Sequence, residues 1–295
     1  MKKMEEWYKA NSRHYGHGAY GSDLAVERRR ANTGISGVEY RQERAIIGSW
    51  ERIRITSEEG AKSIGRPMGN YDTLATCRMD LMDYDRMEDA KNEVSKELCR
   101  LIDGTGIYPE RILVVGLGNR ALTPDAVGPK AAEAVEATMH LGKVNPELLE
   151  SLDCSEIAVM CPGAAATTGI ESHDVVRGVC ARLQPDVVIA IDALASRAPE
   201  RLGTTLQFCD TGIFPGTGFG TGSAPLDERT LGVPVIGIGV PTVIDSRLFV
   251  VEEGETKEAK RSVGMFVSPK EIDTVVEKAA KIIGGGINQA FGIDY

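Results

Sequence analysis

The run Val114-Val115-Gly116-Leu117-Gly118-Asn119 restricts the fold more than any other stretch of this chain. An apolar run that breaks into two spaced glycines reads as a buried strand followed by a tight turn. Thr123-Pro124-Asp125-Ala126-Val127-Gly128-Pro129 comes next and reads as a carboxylate held where a helix begins. Val187-Val188-Ile189-Ala190-Ile191-Asp192-Ala193 repeats the design, an apolar strand with an aspartate at its C-terminal end. Sites in open α/β sheets form outside the carboxyl ends of the strands, so Asp125 and Asp192 are expected on one rim.

The rest of the chain fits that class. From Arg111 onward strands are predicted at Ile112–Val115, Ile157–Cys161, Val187–Ile191, Leu206–Cys209 and Val233–Val240, with helices at Lys130–His140 and Asp174–Leu183. This order implies an α/β sheet with helices packed on it. Ser268-Pro269-Lys270-Glu271 reads as a capping box that opens a last helix, and Gly284-Gly285-Gly286 as its end. Upstream, Arg52–Thr56 alternates like a half-buried strand, Gly65–Tyr71 is a turn-rich loop, and Glu88–Ile102 has helical spacing. Residues 1–23 are polar and glycine-rich and read either as a disordered terminus or as a removable segment.

Bulk properties exclude several classes. A formal net charge of −9 opposes binding to a phosphate backbone. There is no run of 18 apolar residues, so no membrane span is expected, and residues 1–20 lack the apolar centre of a secretory signal. Six cysteines without a C-x-x-C pair point to a reducing cytoplasm rather than a zinc ribbon.

The chemistry centres on the two aspartates. Asp125 could simply complement a helix dipole. A helix begun at Pro124 would meet Pro129 in its second turn, whereas a start at Pro129 leaves Asp125 in the loop above the strand. Asp192, at the end of an apolar strand, must be solvated, paired with Arg197 or Arg201, or functional. Two facing carboxylates would couple their titrations and supply the acid and base that activate water against a peptide bond. Gly116-x-Gly118 resembles a dinucleotide fingerprint, but Asp125 would repel a phosphate there. His173 is the one histidine near an interesting loop, and Asp125, Asp192 and His173 together are a conceivable metal set. Asp210-Thr211-Gly212 matches the short signature of pepsin-like proteases, yet those are all-β with two copies, so a strand followed by a glycine turn is preferred.

Gly65–Tyr71, Val114–Pro129, Thr168–Glu171, Ile189–Arg197, Asp210–Gly212, Leu231–Asp245 and Val263–Glu271, in that order, resemble the germination proteases of spore-forming bacteria. The resemblance implies an endopeptidase, an atypical aspartic-type protease, that degrades small acid-soluble spore proteins in the cytoplasm of the spore core. It implies Asp125 and Asp192 as the essential pair, with no metal or other cofactor. It implies a zymogen cut between Asp23 and Leu24, within Ser22-Asp23-Leu24-Ala25-Val26-Glu27, so that residues 1–23 form a propeptide and 24–295 the protease domain. It implies a homotetramer and a single α/β domain whose mixed sheet is flanked by helices, similar to hydrogenase maturation proteases. Those enzymes recognise nickel, which gives the alternative of a metal-dependent maturation protease acting on one partner protein. Backbone N–H groups at Gly116, Gly118 and Asn119 are candidate oxyanion donors. Two features depart from the family pattern: a short region at Phe249–Arg261, which bears on oligomer contacts, and His173 in place of a small hydroxyl residue.

Overall fold

The structure, a computed structural model, describes residues 22–30, 34–214, 224–245 and 265–293. Among these residues, nine strands join in one mixed sheet. They are β1 (Val38–Ala45), β2 (Gly48–Ile55), β3 (Gly69–Thr76), β4 (Arg111–Gly116), β5 (Glu156–Met160), β6 (Val187–Ser196), β7 (Thr205–Cys209), β8 (Val235–Asp245) and β9 (Phe266–Val267). The spatial order is β1-β2-β3-β7-β8-β6-β4-β5, with β9 beside β8. Strands β8, β6, β4 and β5 run parallel, while β1, β2, β3 and β7 pair antiparallel down to the β7–β8 seam. The main helices are α1 (Ala25–Arg30), α2 (Glu58–Ile64), α3 (Tyr84–Asp103), α4 (Val127–Glu133), α5 (Pro146–Leu152), α6 (Ser172–Leu183) and α7 (Ile272–Ala290). The fold is thus the expected α/β domain with a mixed sheet flanked by helices.

Both sheet faces are covered, which is why the parallel strands read as unbroken apolar runs. One face packs Ile112, Val114, Ile189 and Ile238 against Val94 and Leu98 of α3 and Val276 and Ile283 of α7. On the other face Leu113, Val115 and Val188 meet Val176 and Cys180 of α6. Further along that second face, Ile53, Tyr71 and Leu194 are roofed by Leu24, Ala25 and Val26. Leu24 and Val26 are wholly buried, and each holds this short segment down by roughly 1.5–3 kcal/mol.

Five expectations about the elements are corrected. The last helix opens at Ile272 without the Ser268 capping box and runs through Gly284-Gly285-Gly286 to Ala290. A Cβ on Gly284 would lie 2.5 Å from the Ala134 Cβ, and one on Gly286 would lie 2.6 Å from the Val94 Cβ. Those glycines let α7 approach its neighbours; they do not end it. Helix α4 starts at Val127, not Pro129, and stops at Glu133, well short of His140. Pro129 sits in its first turn, where the missing N–H has no intrahelical acceptor. Strand β6 continues four residues past Asp192, and Gly69–Tyr71 is the start of β3, not a loop. Finally, β8 extends to Asp245 through Pro241, which pairs with Leu194 next to a register shift at Leu194/Ala195.

No helix among the described residues is long and apolar enough to cross a membrane. All six cysteines are free. Of the expected tail, only Ser22 and Asp23 fall within the described residues, and both are buried. The Phe249–Arg261 region lies outside the described residues.

Candidate active site

Strand β4 ends where Gly116 pairs with Ile191 of β6. Asp192 is therefore the first residue of β6 beyond its β4 neighbour, on the rim where parallel α/β sheets build sites. Asp192 is buried, and the Ala193 N–H donates to its Oδ1 at 2.9 Å.

Glycines set the path from β4 to Asp125. Gly118 has φ +112°, and a Cβ on it would lie 2.2 Å from the Asp125 carbonyl oxygen. Gly128, in the first turn of α4, presses against the Leu117 and Ile191 carbonyls, which a Cβ would meet at 2.2 and 2.4 Å. The first turn of α4 thus lies directly on the middle of β6, one residue before Asp192. Asp125 closes a single 3-10 turn, Thr123–Asp125, just before α4. It stands outside the α-helix, as Pro129 had suggested, but Pro129 is not the reason.

Asp125 is half-buried, and its Oδ2 accepts the Asn119 N–H at 2.8 Å. Burial pushes its carboxyl up to about 6, and the Asn119 N–H pulls the other way. A carboxyl that titrates near neutrality suits proton transfer at physiological pH. Of the N–H groups expected to hold an oxyanion, that of Asn119 is engaged by Asp125. The Leu117 N–H between Gly116 and Gly118 donates to the Ile191 carbonyl at 2.8 Å.

The other candidates have structural surroundings. His173 is buried in the first turn of α6. Its Nδ1 lies 3.3 Å from Asp174 Oδ1, and its Nε2 has no hydrogen-bond partner. Among the described residues no three His, Cys, Asp or Glu side chains gather into a metal cage, so Asp125, Asp192 and His173 do not form one. Asp210 fastens β7 to β3: its Oδ1 accepts the Asn70 N–H at 2.8 Å and its Oδ2 accepts Asn70 Nδ2 at 2.5 Å. Thr211 Oγ1 donates to the Tyr71 hydroxyl at 2.9 Å, so Asp210-Thr211-Gly212 is a corner of the scaffold.

A polar row escaped the sequence reading. Thr73 pairs with Gln207, Gln207 with Gly239, and Gly239 with Asp192. Paired residues share a face, so Asp192 and Gln207 sit on the same side of the sheet, two strands or about 10 Å apart, with only a glycine between. The segment around Asp23 lies over this row. The Asp23 N–H donates to the Ala195 carbonyl at 2.9 Å, and the Ala195 N–H returns to Asp23 Oδ2 at 2.9 Å. Arg66 Nη2 donates to the Asp23 carbonyl at 2.6 Å, and Gln207 Nε2 donates to it at 3.4 Å. Gln207 Oε1 accepts the Ala25 N–H at 2.8 Å. The available signal was a glutamine between Leu206 and Phe208 in a strand otherwise fit for full burial.

Comparison with known proteins follows the same residues. The family model described as germination protease matches residues 21–253, which include Asp23, Asp125 and Asp192. A germination protease of Clostridium perfringens is 34% identical over 314 residues, covering 91% of this chain and 94% of its own. That of Caldanaerobacter subterraneus subsp. tengcongensis is 35% identical, with 91% and 93% covered. That of Bacillus cytotoxicus is 40% identical, with 76% and 63% covered. Among solved structures, the [NiFe] hydrogenase maturation protease HycI of Thermococcus kodakarensis KOD1 aligns with 65% of this chain and 99% of its own, at 20% identity and a TM-score of 0.37. By family model and by relatives aligned over nine-tenths of its length, the chain belongs to the germination protease family.

Proposed function

We propose that this chain is an aspartate-dependent endopeptidase that degrades small acid-soluble spore proteins at germination. It is made as a zymogen that cuts itself between Asp23 and Leu24, which makes residues 1–23 a propeptide. It acts in the cytoplasm of the spore core as a homotetramer. Asp125 and Asp192 share the proton work. One carboxylate takes a proton from water as the water oxygen attacks the peptide carbonyl carbon; the pair returns that proton to the departing amine.

One observation carries the reading. Asp192 shares a cross-strand row with Gln207, the residue that donates to the Asp23 carbonyl of the Asp23–Leu24 peptide unit and accepts from the Ala25 N–H of the next one. Asp125, with its carboxyl pushed up to about 6, stands on the loop that leaves the adjacent strand. A peptide bond already laid over the face that bears Asp192 is the arrangement an internal cut needs.

The test is digestion of a purified small acid-soluble spore protein, with fragment masses mapped and the N-terminus of the protease sequenced before and after. The expected result is discrete internal cleavage together with a new N-terminus at Leu24. An intact substrate in the presence of a chain already trimmed to Leu24 would contradict the reading.

A further inference from the structure

Peptide hydrolysis needs donors aimed at the carbonyl oxygen, where negative charge develops. At the Asp23–Leu24 bond those donors come from outside the Gly116–Asn119 loop. Arg66 Nη2 lies 2.6 Å from the Asp23 carbonyl oxygen and 3.6 Å from Asp23 Oδ1. Gln207 Nε2 reaches the same carbonyl at 3.4 Å, while its Oε1 holds the Ala25 N–H at 2.8 Å. Gln207 therefore grips both sides of the bond. Arg66 is buried, and its Nε has no hydrogen-bond partner among the described residues. A buried guanidinium N–H with nothing to bond is costly, and a site that later supplies an acceptor accounts for it. Asp23, Arg66, Gln207, Leu194 and Gly239 border a cavity of about 30 Å³, room for one water.

We infer that Arg66 and Gln207 are the carbonyl-binding residues of the proteolytic site, with Arg66 as the catalytic cation that takes up the oxyanion. The inference rests on the proposed cut between Asp23 and Leu24. The water oxygen bonds to the Asp23 carbonyl carbon, and its proton passes to a carboxylate of the Asp125/Asp192 pair. The carbonyl π electrons move onto the oxygen, which Arg66 Nη2 and Gln207 Nε2 hold as an oxyanion. Collapse re-forms the C=O and breaks the C–N bond. The Leu24 nitrogen leaves with the stored proton, giving a carboxyl group at Asp23 and an amine at Leu24. A substrate peptide takes the same cradle once residues 22–23 have left it.

The test uses the full-length chain. Processing of the wild type and of Arg66→Gln and Gln207→Leu is followed by mass and N-terminal sequencing, with melting temperature as the control for folding. Loss of one such donor is expected to slow cutting by about 100-fold or more in Arg66→Gln. Cutting by Arg66→Gln at the wild-type rate overturns the assignment and leaves the proposed function standing. A wild-type chain that never cuts at Asp23–Leu24 overturns the underlying reading instead. A second measurement does not depend on turnover. Asp-Leu occurs in this sequence only at Asp23-Leu24 and Asp80-Leu81. Carbonyl-13C aspartate with 15N leucine therefore gives two carbonyl NMR signals in Asp192→Asn, which stays uncut. The Asp23 signal is expected downfield, as for a carbonyl bonded to a cation, and should move upfield on adding Arg66→Gln while the Asp80 signal stays put. An Asp23 signal that does not move overturns the assignment.

Discussion

At the scale of single residues, Asp125 offers the cleanest handle. Its carboxyl titrates at about 6 in the fold, against 3.8 ordinarily, because burial disfavours the charged form. Since the folded value is raised, the fold prefers the neutral acid. The cost of the carboxylate is absent below about pH 3.8, grows between 3.8 and 6, and is present in full above 6. Asp125→Asn keeps the acceptor for the Asn119 N–H and removes that cost. It should stabilise the fold by about 1–2 kcal/mol at pH 7.5, allowing for partial solvent screening, and by nothing at pH 4. Urea unfolding at both pH values checks this. The same titration should give proteolysis a lower pH limb near 6 if Asp125 works as the carboxylate. That Asp125 stands outside a helix was legible, though through a helix start at Pro129 that the structure replaces with one at Val127. The glycine contacts that place its turn were not, because Gly118 and Gly128 are read correctly only against carbonyls distant in sequence.

At the scale of elements, α7 separates local preference from packing. Its three consecutive glycines read as a terminus because glycine is a poor helix former. The structure keeps them helical because Ala134, Lys91 and Val94 leave no room for a Cβ. Helix propensity alone predicts that Gly286→Ala stabilises by about 1 kcal/mol. The 2.6 Å contact with Val94 predicts the reverse, a loss of about 1–3 kcal/mol through overpacking, readable by denaturant titration. Strand β1 shows the opposite difficulty. Val38-Glu39-Tyr40-Arg41-Gln42-Glu43-Arg44-Ala45 is an edge strand with mostly exposed side chains, and charges of that kind protect an edge but erase the alternating signal. The parallel strands, buried on both faces, were legible for the contrary reason.

At the scale of the whole molecule, the segment from Ser22 to Arg29 ties the two functional regions together. Glu27 accepts from Ser196 Oγ at 2.6 Å and from the Arg197 N–H at 2.8 Å, clamping α1 to the end of the strand that bears Asp192. Glu27→Ala should cost about 1–2 kcal/mol, because it strips charge-assisted bonds from the buried Ser196 and from the exposed Arg197 N–H. Hydrogen exchange should show amides 22–29 and 195–198 opening together, with the sheet centre unaffected. The α/β class and the rim that carries Asp125 and Asp192 could be anticipated from the alternation of apolar runs and helices, but the spatial order of the strands could not. The cradle of Arg66, Gln207 and Asp23 could not, since it joins positions that only the antiparallel β3–β7–β8 seam brings together. The central claim is that Asp125 and Asp192 activate the water that cuts peptide bonds. Its most direct test is the rate at which Asp125→Asn and Asp192→Asn, each confirmed folded, cleave a small acid-soluble spore protein. The account predicts a loss of about 10²–10⁴-fold in each; cleavage by either variant at the wild-type rate would contradict it.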